Sequence, residues 1–110
     1  MIDVNVAYLA VFNFLEETWQ VNKEVYDDDL PILLGNMQLA GDGKPCDPAE
    51  EQNWKEATLG KTELTPEEVY DTMIRFLEIY VKIGESDTRD ISRLIIYLKE
   101  NCDYSGIETE

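Results

Sequence analysis

The stretch "LTPEEVYDTMIRFLEIYVKIG", Leu64 to Gly84, constrains this chain more than any other. Thr65 and Glu68 stand three apart as the two halves of a capping box, Pro66 takes the first helical position, and Leu64 can staple onto Val69. The apolar residues that follow fill two adjoining stripes, Val69, Met73, Phe76 and Tyr80 beside Tyr70, Ile74, Leu77 and Val81, which is about half of a helix circumference. A helix so apolar must be covered on two sides, so the spacing predicts the central helix of the fold. Its opposite stripe, Glu67, Asp71, Arg75, Glu78 and Lys82, places an acid four residues before a base at Asp71–Arg75 and at Glu78–Lys82. That face reads as solvated and self-satisfied, since each such pair adds a few tenths of a kcal/mol.

The rest of the chain offers helices to cover it. Val4, Tyr8, Val11, Phe12, Leu15 and Trp19 share a stripe, predicting a helix over about residues 3 to 21. "DDDLPILLGNMQLA" follows, where Asp29 can cap and Pro31 can sit in the first turn of a short helix from Leu30 to about Leu39. Asp42-Gly43 is turn chemistry, and Asp47-Pro48 caps a third helix that carries Trp54, runs to about Leu59 and ends at Gly60. After Gly84, Ser86 or Asp87 can cap a last helix with Ile91, Leu94, Ile95, Leu98 and Cys102 on one stripe and Ile96 turned away; the tail 103–110 is polar. "MIDVNVAYL" alternates only briefly, so no strand pattern competes. The expectation is a single all-α domain over residues 1–110, a compact bundle of about five helices.

Composition removes several classes of function. Histidine is absent, which takes away the commonest general base, the Ser-His-Asp and Cys-His arrangements and most zinc and haem sites. Cys46 and Cys102 are the only cysteines, too few for a disulfide scaffold and too far apart for a clustered metal site, so they read as reduced structural thiols. No apolar run has membrane-spanning length, and the N-terminus lacks a basic region ahead of its apolar stretch, so a cytoplasmic protein is expected. Twenty-four Asp and Glu against nine Lys and Arg give a formal charge of -15, which repels nucleic acid and anionic membranes and speeds encounter with a basic partner.

"LLGNMQLAGDGKPCDPAEEQNW", Leu33 to Trp54, tests the remaining chemistry. A phosphate loop needs a Lys-Ser/Thr pair opening a helix, and here Lys44 is followed by Pro45. An EF-hand count from Asp42 meets Lys44 and Cys46 where oxygens belong, leaving only a looser calcium site of Asp42, Asp47, Glu50 and Glu51 to consider. Adjacent acids such as Glu16-Glu17, Glu50-Glu51 and Glu67-Glu68 read first as helix surface or first-turn residues, so no cofactor and no catalysis are expected. The uncompensated acids are more telling. Asp27, Asp28 and Asp29 beside Tyr26, with Asp42, Asp47, Glu50 and Glu51 around the turn and the third helix, form a candidate surface for a cationic partner, with Tyr26 as anchor. A solvated loop with Asp29 as cap is the plainer alternative.

The frame Leu33-Leu34-Gly35, Met37, Leu39, Asp42-Gly43, Pro45, Asp47-Pro48-Ala49 and Trp54 resembles small acidic bacterial immunity proteins of polymorphic toxin systems, including the contact-dependent growth inhibition type. The resemblance implies a helical cytoplasmic protein that binds a cognate toxin domain, often a nuclease, and blocks it without chemistry. It transfers no individual toxin contact: the frame is scaffold, with Gly43 for the turn, Asp47 as cap and Trp54 as core anchor. The competing expectation is an acidic adaptor, or a nucleic-acid mimic that regulates a basic protein other than a toxin.

Overall fold

The computed structural model describes residues 1–39, 41, 45, 47–83 and 88–100. Its elements are β1 (Ile2–Asp3), α1 (Val4–Val21), α2 (Asp29–Met37), α3 (Pro48–Ala57), β2 (Glu63–Leu64), α4 (Pro66–Ile83) and α5 (Arg89–Glu100). Among the described residues the fold is an all-α bundle of five helices. The expected Asp42-Gly43 turn, both cysteines, the Ser86 or Asp87 cap and the tail lie outside the described residues.

α4 is the element on which the others converge, packing most extensively on α3 and α5 and also on α1 and β2, while α2 bridges α1 and α5. Both of its apolar stripes are covered: Val69, Tyr70, Met73, Ile74, Phe76 and Leu77 are buried in a core cluster to which all five helices and Leu64 contribute. The capping box forms as spaced. Glu68 N–H donates to Thr65 Oγ1 at 3.1 Å, and Thr65 N–H donates to Glu68 Oε1 at 3.0 Å. On the outer face, Arg75 Nε donates to the Ala57 carbonyl at 2.8 Å and Glu78 pairs with Lys99, so both residues reach to neighbouring segments rather than along their own helix.

Aromatic rings knit three helices together. Tyr8 of α1, Trp54 of α3 and Phe76 of α4 meet edge to face, with centroids 5.4, 5.6 and 6.4 Å apart, the arrangement favoured by ring quadrupoles. Their polar tips are satisfied inside: Trp54 Nε1 donates to the Val4 carbonyl at 3.0 Å and Tyr8 Oη to the Met37 carbonyl at 2.8 Å.

Two sequence expectations need correction. The brief alternation at the N-terminus is a strand after all: Ile2 and Asp3 pair antiparallel with Leu64 and Glu63. Its partner lies some sixty residues away, so no local signal could favour it. Asp29 does not cap its own helix. It is the first residue of α2, and its carboxylate crosses to α5, accepting from Asp90 N–H at 2.9 Å and Ile91 N–H at 3.0 Å. Asp90 returns the bond, its Oδ2 accepting from Asp28 N–H at 2.8 Å and Leu30 N–H at 3.3 Å. The two helix N-termini thus exchange carboxylates, each meeting orphan donors of the other.

Candidate functional site

Of the eight residues singled out from sequence, the seven that the structure describes separate into three groups. Asp27 and Asp28 are exposed beside half-buried Tyr26 in the connection 22–28, and exchange no place with the core. Asp47 and Glu51 lie at the start of α3, where Asp47 caps by accepting from Ala49 N–H at 3.0 Å and Glu51 approaches Lys55 at 4.0 Å. Asp42 lies outside the described residues. Asp29 and Glu50 are withdrawn from the surface, at 1% and 4% exposure.

Their burial has different consequences. Both oxygens of Asp29 are occupied by the α5 amides, which is a structural role. Glu50 Oε2 has no hydrogen-bond partner among the described residues. Burial, and after it the Asp47 carboxylate, pushes the Glu50 carboxyl up to about 7, with a hydrogen bond from Asn53 opposing the shift. The Tyr80 phenol on α4 is raised chiefly by its own burial and then by the charges of Asp29, Glu50 and Asp90. No group of three or more metal-ligating side chains among the described residues is arranged to hold an ion.

The connection 22–28 is held firmly. Val25 N–H and Tyr26 N–H both donate to the Asn22 carbonyl, at 2.9 and 3.0 Å, closing a turn after α1. From the other side Arg93 Nη2 donates to the Val25 carbonyl at 2.7 Å, and its guanidinium lies 5.9 Å from the Tyr26 ring centroid while pairing with Asp90. Burial raises the Tyr26 phenol, against the lowering influence of Arg93.

A trough of about 440 Å³ opens beside this connection, walled by Phe14 and Thr18 of α1, by Asn22, Val25 and Tyr26, and by Leu94 and Tyr97 of α5. A shallower depression continues it past Glu17 and Val21. On the far side of α1 a second depression of about 340 Å³ runs between Leu9, Phe12, Met37 and Leu39. Sequence reading brought only Tyr26 to the first trough. It missed Phe14, Val25 and Tyr97 there and Val21 in the continuing depression, and the signal was there: each is an apolar residue left over once the core stripe of its segment is filled. Ile96 drew attention instead of its neighbour Tyr97, although both are more than half exposed.

No family model, no curated protein and no solved structure matches this chain. No helix among the described residues is long and apolar enough to cross a membrane.

Proposed function

We propose that this protein is an immunity protein, which binds a cognate basic toxin domain stoichiometrically and occludes it without performing chemistry. One observation carries the reading: exposed Asp27 and Asp28 directly follow Tyr26, which walls a trough lined largely by apolar and aromatic side chains, on a molecule of formal charge -15. Carboxylates steer a cationic partner, and buried aromatic contacts then retain it. Pure mimicry of a phosphate backbone would need the charges but not the apolar floor, so the trough weighs toward a protein partner. The connection is already pinned by Arg93 and Asp90, so docking would order little that is loose, which lowers the entropic cost of association.

The test is co-expression with the protein encoded immediately upstream, purification through a tag on one of them, and scoring of growth. A one-to-one complex with rescue is expected; toxicity unrelieved by this chain, or no complex, overturns the reading. Within such a complex, Asp27→Lys together with Asp28→Lys should slow association about tenfold or more at low salt and flatten its salt dependence. Stopped-flow kinetics that leave the rate unchanged would remove these two residues from the encounter surface.

A further inference from the structure

Aromatic and aliphatic side chains that remain exposed beside a fixed, acidic loop need a reason. Val25 and Tyr97 are 45% and 55% exposed in the trough, and Val21 is 75% exposed in the depression that continues it. Glu17 lines the depression that continues the trough, and Glu24, Asp27 and Asp28 are exposed in the connection 22–28, against one ammonium, Lys23, which lies over the Trp19 ring at 5.1 Å. Arg93, the cation facing them from α5, is already engaged by Asp90 and the Val25 carbonyl. The field at the mouth is therefore negative, while the floor is apolar. A volume of about 440 Å³ falls within the ~300–1,000 Å³ usual for binding clefts.

We infer that the trough between α1, the connection 22–28 and α5 is the docking surface, and that its occupant is a basic amphipathic protein segment whose apolar side chains enter between Phe14, Val25 and Tyr97 while its Lys and Arg meet Glu17, Asp27 and Asp28. A neutral apolar segment would leave those carboxylates uncompensated at the rim, and a uniformly polar cation would leave the floor wet. The depressions by Leu9 and Leu39 are the alternative location for such a segment. This inference rests on the reading of the protein as a binder of a basic domain, but it is tested without any toxin.

The experiment titrates the isotope-labelled chain with synthetic peptides of about 18 residues, at up to about 1 mM, and follows backbone amide shifts. One peptide is an amphipathic Leu/Lys helix, the second replaces its Leu by Ser, and the third replaces its Lys by Glu. The Leu/Lys peptide is expected to move the amides of Phe14, Val25, Tyr26 and Tyr97, with the other two at least about tenfold weaker. Val25→Ser, at an exposed position that the fold should tolerate, should weaken the Leu/Lys peptide about five- to tenfold, while Ile32→Ser on α2 should leave it unchanged. Equal binding of the Ser/Lys peptide, shifts centred on Leu9 and Leu39, or no shift with any peptide overturns the inference. Peptide docking at the trough without growth rescue would instead retain this surface and remove the toxin as its partner.

Discussion

At the scale of single residues, two carboxylates that look alike in sequence have opposite meanings. Asp27 is exposed, whereas Asp29 accepts two amides of the α5 N-terminus in the interior. Asp29→Ala should therefore cost about 2–4 kcal/mol in urea unfolding, because it orphans two buried donors, while Asp27→Ala should stay within about 0.5 kcal/mol. Glu50 makes a pH-dependent contribution of the unusual sign. Its carboxyl is raised to about 7 from an ordinary value near 4.5, so between these values the folded chain holds a proton that the unfolded chain releases, and stability falls as pH rises through that window. Glu68 acts in a separate window. Its carboxyl is lowered to about 2, first by the hydrogen bond from Lys61 and then by that from Thr65 N–H, so its contribution is present above about 4.5 and lost as pH falls toward 2. Glu50→Gln should flatten the upper slope and stabilise the protein above pH 7 by about 1–3 kcal/mol, measured as the difference between the two pH–stability curves.

At the scale of elements, the helix ends show how local rules are kept or broken. α1, α3 and α4 begin with carboxylate or hydroxyl caps close in sequence, at Asp3, Asp47 and Thr65. α2 and α5 begin with caps traded across the bundle, which locks their mutual position as well as their first turns. The end of α3 carries a conformational cost. Leu59 adopts φ 57° and Gly60 φ 77°, both left-handed, and only glycine enters that region freely. Leu59 is also exposed, so little packing offsets its strain. Leu59→Asn should raise stability by about 0.5–1 kcal/mol and Gly60→Ala should lower it by about 1 kcal/mol, with paired denaturation curves as the check.

At the scale of the whole molecule, a formal charge of -15 on 110 residues must repel itself in the compact state, and mobile ions relieve that repulsion. The urea midpoint should therefore rise between about 10 mM and about 300 mM sodium chloride; a midpoint that does not move would mean that ion pairs such as Lys61–Glu68 and Lys99–Glu78 already balance the field. Much of the architecture was legible in the chain because it is specified locally. Apolar spacing of three and four residues, Asp47 before Pro48 and the Thr65–Glu68 box report energies settled within a turn or two of helix, and they place the helices to within a few residues of their observed ends. The trough was not legible, because residues 14–26 and 94–97 meet only when α1 and α5 pack around α2 and α4. The carboxylate exchange was hidden for the same reason, spanning 60 to 62 positions. What the sequence alone determined is the set of helices, their apolar faces and the surplus of negative charge. Tertiary structure decided which carboxylates became caps, which one was buried with a raised proton affinity and which stayed at the rim of an apolar trough, since burial depends on what the neighbouring helices cover.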